Sequence, residues 1–216
     1  TWIMSYIYIG TFGSFIGYSA AFPLLIKTQF PTVTLGIAFL GPLVGSLSRP
    51  LGGLLADKVG GAIVTFWNFI AMAAATIGVM HFVQNKEFTG FLVMFLILFV
   101  TTGVGNGSTY RMIPSIFREE KLQSAKGAGD TGRTLALKAA GIESGAALGF
   151  IGAVGACGGY FIPRGFGASI AATGGPNLAL AIYLGFYATC LALTWWFYLR
   201  RTALASDATS LAEARV

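Results

Sequence analysis

Polar positions along this chain do not recur at the spacing of two, or of three to four, that gives a soluble strand or helix one wet face. Apolar residues instead run on for about twenty positions at a time, and short polar clusters separate the runs. Crossing a hydrocarbon core of about 30 Å takes roughly 20 helical residues. Six runs meet that length, at about 2–26, 36–56, 62–82, 91–116, 140–163 and 176–199. The pattern predicts an all-α membrane protein, with a six-helix bundle over 1–200 and a polar tail over 201–216. The stretch 117–139 is basic and carries Gly127, Gly129 and Gly132, so it reads as a flexible connection between the fourth and fifth spans.

Composition sharpens this picture. Only 10% of residues are charged and 55% are hydrophobic, whereas a soluble domain carries about 25% charged residues. The opening "TWIMSYIYIG" has no basic n-region and no small-residue cleavage site close behind, so it reads as a span entered mid-protein and not as a signal peptide.

Charge sets the orientation. Lys58, Arg118, Lys121, Lys126, Arg133, Lys138, Arg200, Arg201 and Arg215 fall on one side, against Lys27, Lys86 and Arg164 on the other. The first group belongs in the cytoplasm, which puts both ends there and makes the net charge of +6 an inside-positive bias, with no nucleic-acid partner implied. Cys157 and Cys190 lie within spans five and six, where buried reduced thiols are expected. His81 sits at a membrane edge, and the sequence offers no metal cluster, nucleotide loop or catalytic triad. A transporter without a cofactor fits better than an enzyme.

The two remaining cations, Arg49 and Arg111, are assigned to membrane depth. In "GPLVGSLSRPLGG", residues 41–53, Arg49 stands about two-thirds of the way along its run. An arginine at mid-membrane costs about 2.5–3.5 kcal/mol on insertion scales, so it faces a polar path or partner. No acid shares its span, and Glu143, near the cytoplasmic start of span five, is the one carboxylate in any span. An uncompensated cation favours an anion, and the planar guanidinium favours an oxyanion with flat, bidentate geometry. An internal ion pair or carbonyl contacts remain the alternative. Arg111 lies nearer the end of its run, where it can snorkel to the cytoplasm.

Small and polar residues cluster around this cation. Span five, "GIESGAALGFIGAVGACGGYFIP" over 141–163, keeps its glycines near one helical face. Such a face suits close helix packing, or a pocket for a very small solute. In span four, "GVGNGSTYRM" offers Asn106 as a hydrogen-bonding group, and Tyr8 in span one carries a polar tip at a similar depth. "GGLLADKVGG", residues 52–61, places Asp57 and Lys58 in a glycine-flanked cytoplasmic turn.

Residues 53–61, "GLLADKVGG", resemble the loop motif of the major facilitator superfamily, in the copy that joins the eighth and ninth helices of its twelve-helix fold. More closely, essentially all of 1–200 is similar to the carboxy-terminal half of a bacterial nitrate/nitrite porter of the NNP family, with the opening segment, the Arg49 segment and the glycine-rich span in matching order. The resemblance implies two six-helix bundles around a mid-membrane site for nitrate and nitrite, in a bacterial inner membrane, with an essential arginine from each bundle. It places Arg49 at the second arginine, Tyr8 at the pocket tyrosine, and Gly149 and Gly152 at pocket-lining positions of the second nitrate signature. It assigns Gly53, Asp57, Lys58 and Gly61 to the loop motif that governs gating. Some relatives have serine where this chain has Gly152. The partner implied is an amino-terminal six-helix half, beside membrane lipid. Exchange of nitrate for nitrite is the favoured mode, with proton-coupled symport and an oxyanion channel as alternatives.

Overall fold

Six helices follow the six apolar runs. In the computed structural model, which describes residues 1–127 and 129–200, they are α1 (Trp2–Gln29), α2 (Leu40–Val59), α3 (Gly61–Gln84), α4 (Phe88–Ser124), α5 (Gly129–Thr173) and α6 (Asn177–Leu199). All but α2 are long and apolar enough to cross a membrane by length and composition. The polar face of α2 includes Arg49, Asp57 and Lys58, and a 3-10 turn over Leu35–Phe39 leads into it, so it starts later than its apolar run. There is no β-strand among the described residues. The expected tail, 201–216, lies outside them.

The stretch 117–139 corrects the expectation of a flexible loop. Helix α4 continues to Ser124 and α5 begins at Gly129, leaving a connection of only a few residues. Apolar run length measures the membrane, and "FREEKLQS" remains a good helix-forming sequence once water solvates its side chains. Lys121 Nζ meets Glu143 Oε1 at 2.6 Å and clamps these extensions together, so Glu143 serves a contact between helices. At its other end α5 also outruns the apolar segment, and Arg164 lies inside the helix, its guanidinium 5.9 Å from the Tyr160 ring.

Helix α4 is central, with α2, α3 and α5 packed along it. Its contact with α2 depends on backbone approach. A Cβ at Gly103 would collide with the Gly45 carbonyl, one at Gly52 with the Val104 carbonyl, and one at Gly107 with the Arg49 carbonyl. Close glycine surfaces bind membrane helices by dispersion, where no hydrophobic effect is available. Hydroxyls add cross-helix bonds in the same region, Ser48 to the Val100 carbonyl at 3.1 Å, Thr65 to Ser108 at 2.9 Å and Thr11 to Thr109 at 3.1 Å. Towards the other end, Phe91, Phe95 and Phe99 recur every four residues on α4 and meet Phe22 of α1, whose ring lies 4.7 Å from Phe95.

Two helices are irregular where they matter to the site. A π-helical turn over Ile9–Gly13 widens α1 immediately after Tyr8, and Gly10 within it leaves room for Cys190 and the Phe69 ring. Helix α5 breaks at Cys157, between Gly129–Ala156 and Gly158–Thr173. Cys190 is buried as expected, but Cys157 is exposed at that break; both are free thiols. The turn from α2 to α3 runs through Gly60 at φ 102°, a left-handed region that favours glycine.

Candidate functional site

Arg49, Asn106 and Tyr8 come together from three helices. The Asn106 carboxamide has one orientation that satisfies both its ends. Its oxygen then accepts from Arg49 Nε at 2.8 Å and Nη2 at 2.5 Å, and its nitrogen donates to the Tyr8 hydroxyl at 3.0 Å. Asn106 and Tyr8 are buried, while Arg49 is half-buried. The guanidinium centre lies 5.5 Å from the Phe12 ring and 5.3 Å from the Phe15 ring, close enough for cation–π attraction. A neutral amide and two ring faces thus aim the cation without cancelling its charge.

Each neighbour follows from local structure. Tyr8, Phe12 and Phe15 are brought to one side of α1 across the π-turn, and the Tyr8 and Phe12 rings lie 5.2 Å apart. Gly107 allows α4 to touch the α2 backbone at Arg49, which sets Asn106 beside the guanidinium. A Cβ at Gly155 would press on the Tyr8 and Phe12 rings, so the bare α5 backbone seats them from behind. Arg49 therefore has a braced position.

Among the described residues no carboxylate forms an ion pair with Arg49. The guanidinium has five N–H donors, and Asn106 uses those at Nε and Nη2. Arg49 also lines a cleft of about 370 Å³ whose walls include Pro50, Gly53, Gly107, Tyr110 and Arg111. A larger cavity of about 500 Å³ lies between α1, α5 and α6, but Val154, Phe161, Ile162, Ile182 and Phe186 make most of its wall apolar. Charge, and not volume, marks the cleft as the candidate site.

The other expected positions divide. Gly149 and Gly152 lie on an open part of α5, where an added Cβ would meet nothing within 4 Å, and neither lines the cleft. Gly53 lies beside the Arg111 side chain, and Asp57 Oδ2 accepts from Arg111 Nη2 at 2.8 Å, tying the loop motif to α4. Gly61 faces Met112 at close quarters, and Lys58 is exposed with no ion pair among the described residues. Phe12, Phe15, Tyr110 and Gly155 were not singled out as site residues from sequence; the spacing of Tyr8, Phe12 and Phe15 was the available signal.

No family model matches the sequence. Individual proteins do. The chain is 47% identical over 204 residues to the nitrate/nitrite transporter NarU of Salmonella typhimurium, covering 93% of this chain and 44% of that protein. It is 46% identical, with the same coverage, to NarU of Escherichia coli. Over nearly all of its length the chain is thus homologous to one half of these nitrate/nitrite transporters. A probable nitrate/nitrite antiporter NarK2 of Thermus thermophilus is 35% identical over 211 residues, 94% of this chain and 43% of that protein. The chain spans a little under half the length of the curated relatives it matches. Its six helices form an all-α membrane bundle, half of a major facilitator fold.

Proposed function

We propose that this chain is the carboxy-terminal half of a nitrate/nitrite porter that works by alternating access in a bacterial inner membrane, with both ends of the bundle cytoplasmic. The observation that carries the reading is the Arg49 guanidinium, aimed by Asn106 and two rings, without a carboxylate partner among the described residues, and lining a cleft. Nitrate is flat and carries its charge on oxygens, which suits the planar fork of donors. The names of the NarU relatives support this substrate class.

Exchange of nitrate for nitrite is the favoured mode. Moving one anion into an inside-negative cell costs about 2.3 kcal/mol per 100 mV, and a one-for-one anion exchange cancels that work. Proton symport needs a titratable group near the path, whereas Glu143 is engaged by Lys121. The antiporter name of the Thermus relative supports exchange. An amino-terminal half would supply the second wall of the site and the second arginine.

Arg49→Lys in the full-length transporter keeps the charge and removes the fork. Nitrate binding should weaken by about 1.5–3 kcal/mol, the value of a charge-assisted hydrogen bond; unchanged affinity and transport overturn the central role of Arg49. Exchange is tested in vesicles loaded with nitrite or left empty, at clamped potential. Uptake that ignores internal nitrite and follows an imposed proton gradient establishes symport instead.

A further inference from the structure

The cleft that opens on Arg49 does not stop there. Its walls include Arg111, which lies towards the loop-motif end of α2. Arg49, Gly53 and Asp57 follow one another every four residues on one face of α2, so Asp57 lies about 12 Å along the helix from Arg49 at 1.5 Å per residue. The Arg111 side chain runs past Gly53, and its Nη2 donates to Asp57 Oδ2 at 2.8 Å. Both partners of that pair are about half exposed, at 59% and 46%. A solvent-exposed pair of this kind is held weakly, and its carboxylate is an oxyanion of the same flat geometry as nitrate. Gly107 and Tyr110 line the same cleft as the two arginines.

We propose that Arg111 is a second, outer binding position for small oxyanions at the loop-motif end of the Arg49 cleft, with Asp57 as the internal carboxylate that an incoming anion displaces. This rests on the reading of Arg49 as the central anion site. The loop motif then does more than join two helices. Asp57 keeps the outer position closed to anions at low concentration and yields it when they accumulate, and displaced Asp57 repels an anion that lingers. A weakly held outer site hands its anion on and does not trap it.

The test uses the full-length transporter in membranes, carrying Tyr110→Cys with Cys157→Ser and any other accessible cysteine replaced by serine. The cleft thiol is then modified with methanethiosulfonate reagents bearing a sulfonate or a trimethylammonium head, with and without nitrate. Asp57→Asn should speed the sulfonate reagent by about tenfold, in line with focusing of anions in a charged cleft, and Arg111→Gln should slow it comparably. Arg111→Lys should retain most of the rate, and the cationic reagent should show the opposite trend, which separates a charge effect from a misfolded protein. Nitrate should protect the thiol, and protection should persist when Arg49→Gln is added. Sulfonate rates that stay within twofold across the Asp57 and Arg111 variants overturn the proposal, as does protection that vanishes with Arg49→Gln. Normal nitrate transport by Arg49→Gln defeats the central-site reading instead and leaves the result at Arg111 standing.

Discussion

Helices α4 and α5 are both rich in glycine, and the bundle uses the two sets differently. In α4, Gly103, Gly105 and Gly107 each lie against backbone or a polar side chain of a neighbour. In α5, Gly141, Gly145, Gly149 and Gly152 would meet nothing within 4 Å if given a Cβ, yet Gly155 and Gly158, one turn further on, press on α1. The same residue pattern thus exposes bare backbone in both helices, but only the surrounding helices decide what it touches. On the porter reading, the bare stretch of α5 faces substrate or the other half.

The comparison is broken hardest at Gly107. Gly107→Ala drives a methyl group into the Arg49 carbonyl, and α2 must move away; a loss of about 3 kcal/mol, the top of the usual overpacking range, should appear in thermal denaturation of the full-length transporter. Within α5, Gly155→Leu should destabilise by about 1–3 kcal/mol because it displaces Tyr8 and Phe12, and equal melting of Gly155→Leu and Gly152→Leu would erase the boundary between them. Asn106→Ala should cost about 1–2 kcal/mol through the lost bonds to Arg49 and Tyr8, with a parallel drop in nitrate affinity. The smallest change is Gly149→Ala, which should leave stability within about 0.5 kcal/mol. Gly149→Leu then sharpens the contrast: wild-type melting with transport abolished places this face on the substrate path, and wild-type melting with normal transport removes it.

The difference also shows what the sequence could reveal. Long apolar runs located all six helices because the bilayer imposes a length on them. The same signal fell silent beyond the membrane, so the helical extensions across 117–139 were read as a loop, although their composition favours helix. Arg49 was legible as the odd cation in an apolar run, and the structure places it half-buried without an ion pair among the described residues. Its union with Asn106 and Tyr8 was suggested by depth and resemblance, since residues 41 and 57 positions away meet it only after three helices assemble. The bracing rings and Gly155 were not chosen because aromatic and small residues are common on every face of a membrane helix. The π-turn that sets α1 against the cation leaves no distinctive residue pattern.

On the proposed porter reading, the placement of Arg49 beside the Phe12 and Phe15 rings would have a consequence for the timing of the transport cycle. Rings attract a cation but do not neutralise it, so without an anion the guanidinium would rely on water reaching it through the cleft. Sealing that opening with the site vacant strands the charge away from water, at a penalty of several kcal/mol for an ion in a protein interior. An anion on the guanidinium removes the net charge and with it the barrier to sealing. On the proposed porter reading, the arginine would thus act as an electrostatic interlock: the vacant carrier would be held open, the loaded carrier free to close, and slippage without cargo suppressed by the solvation of a single side chain.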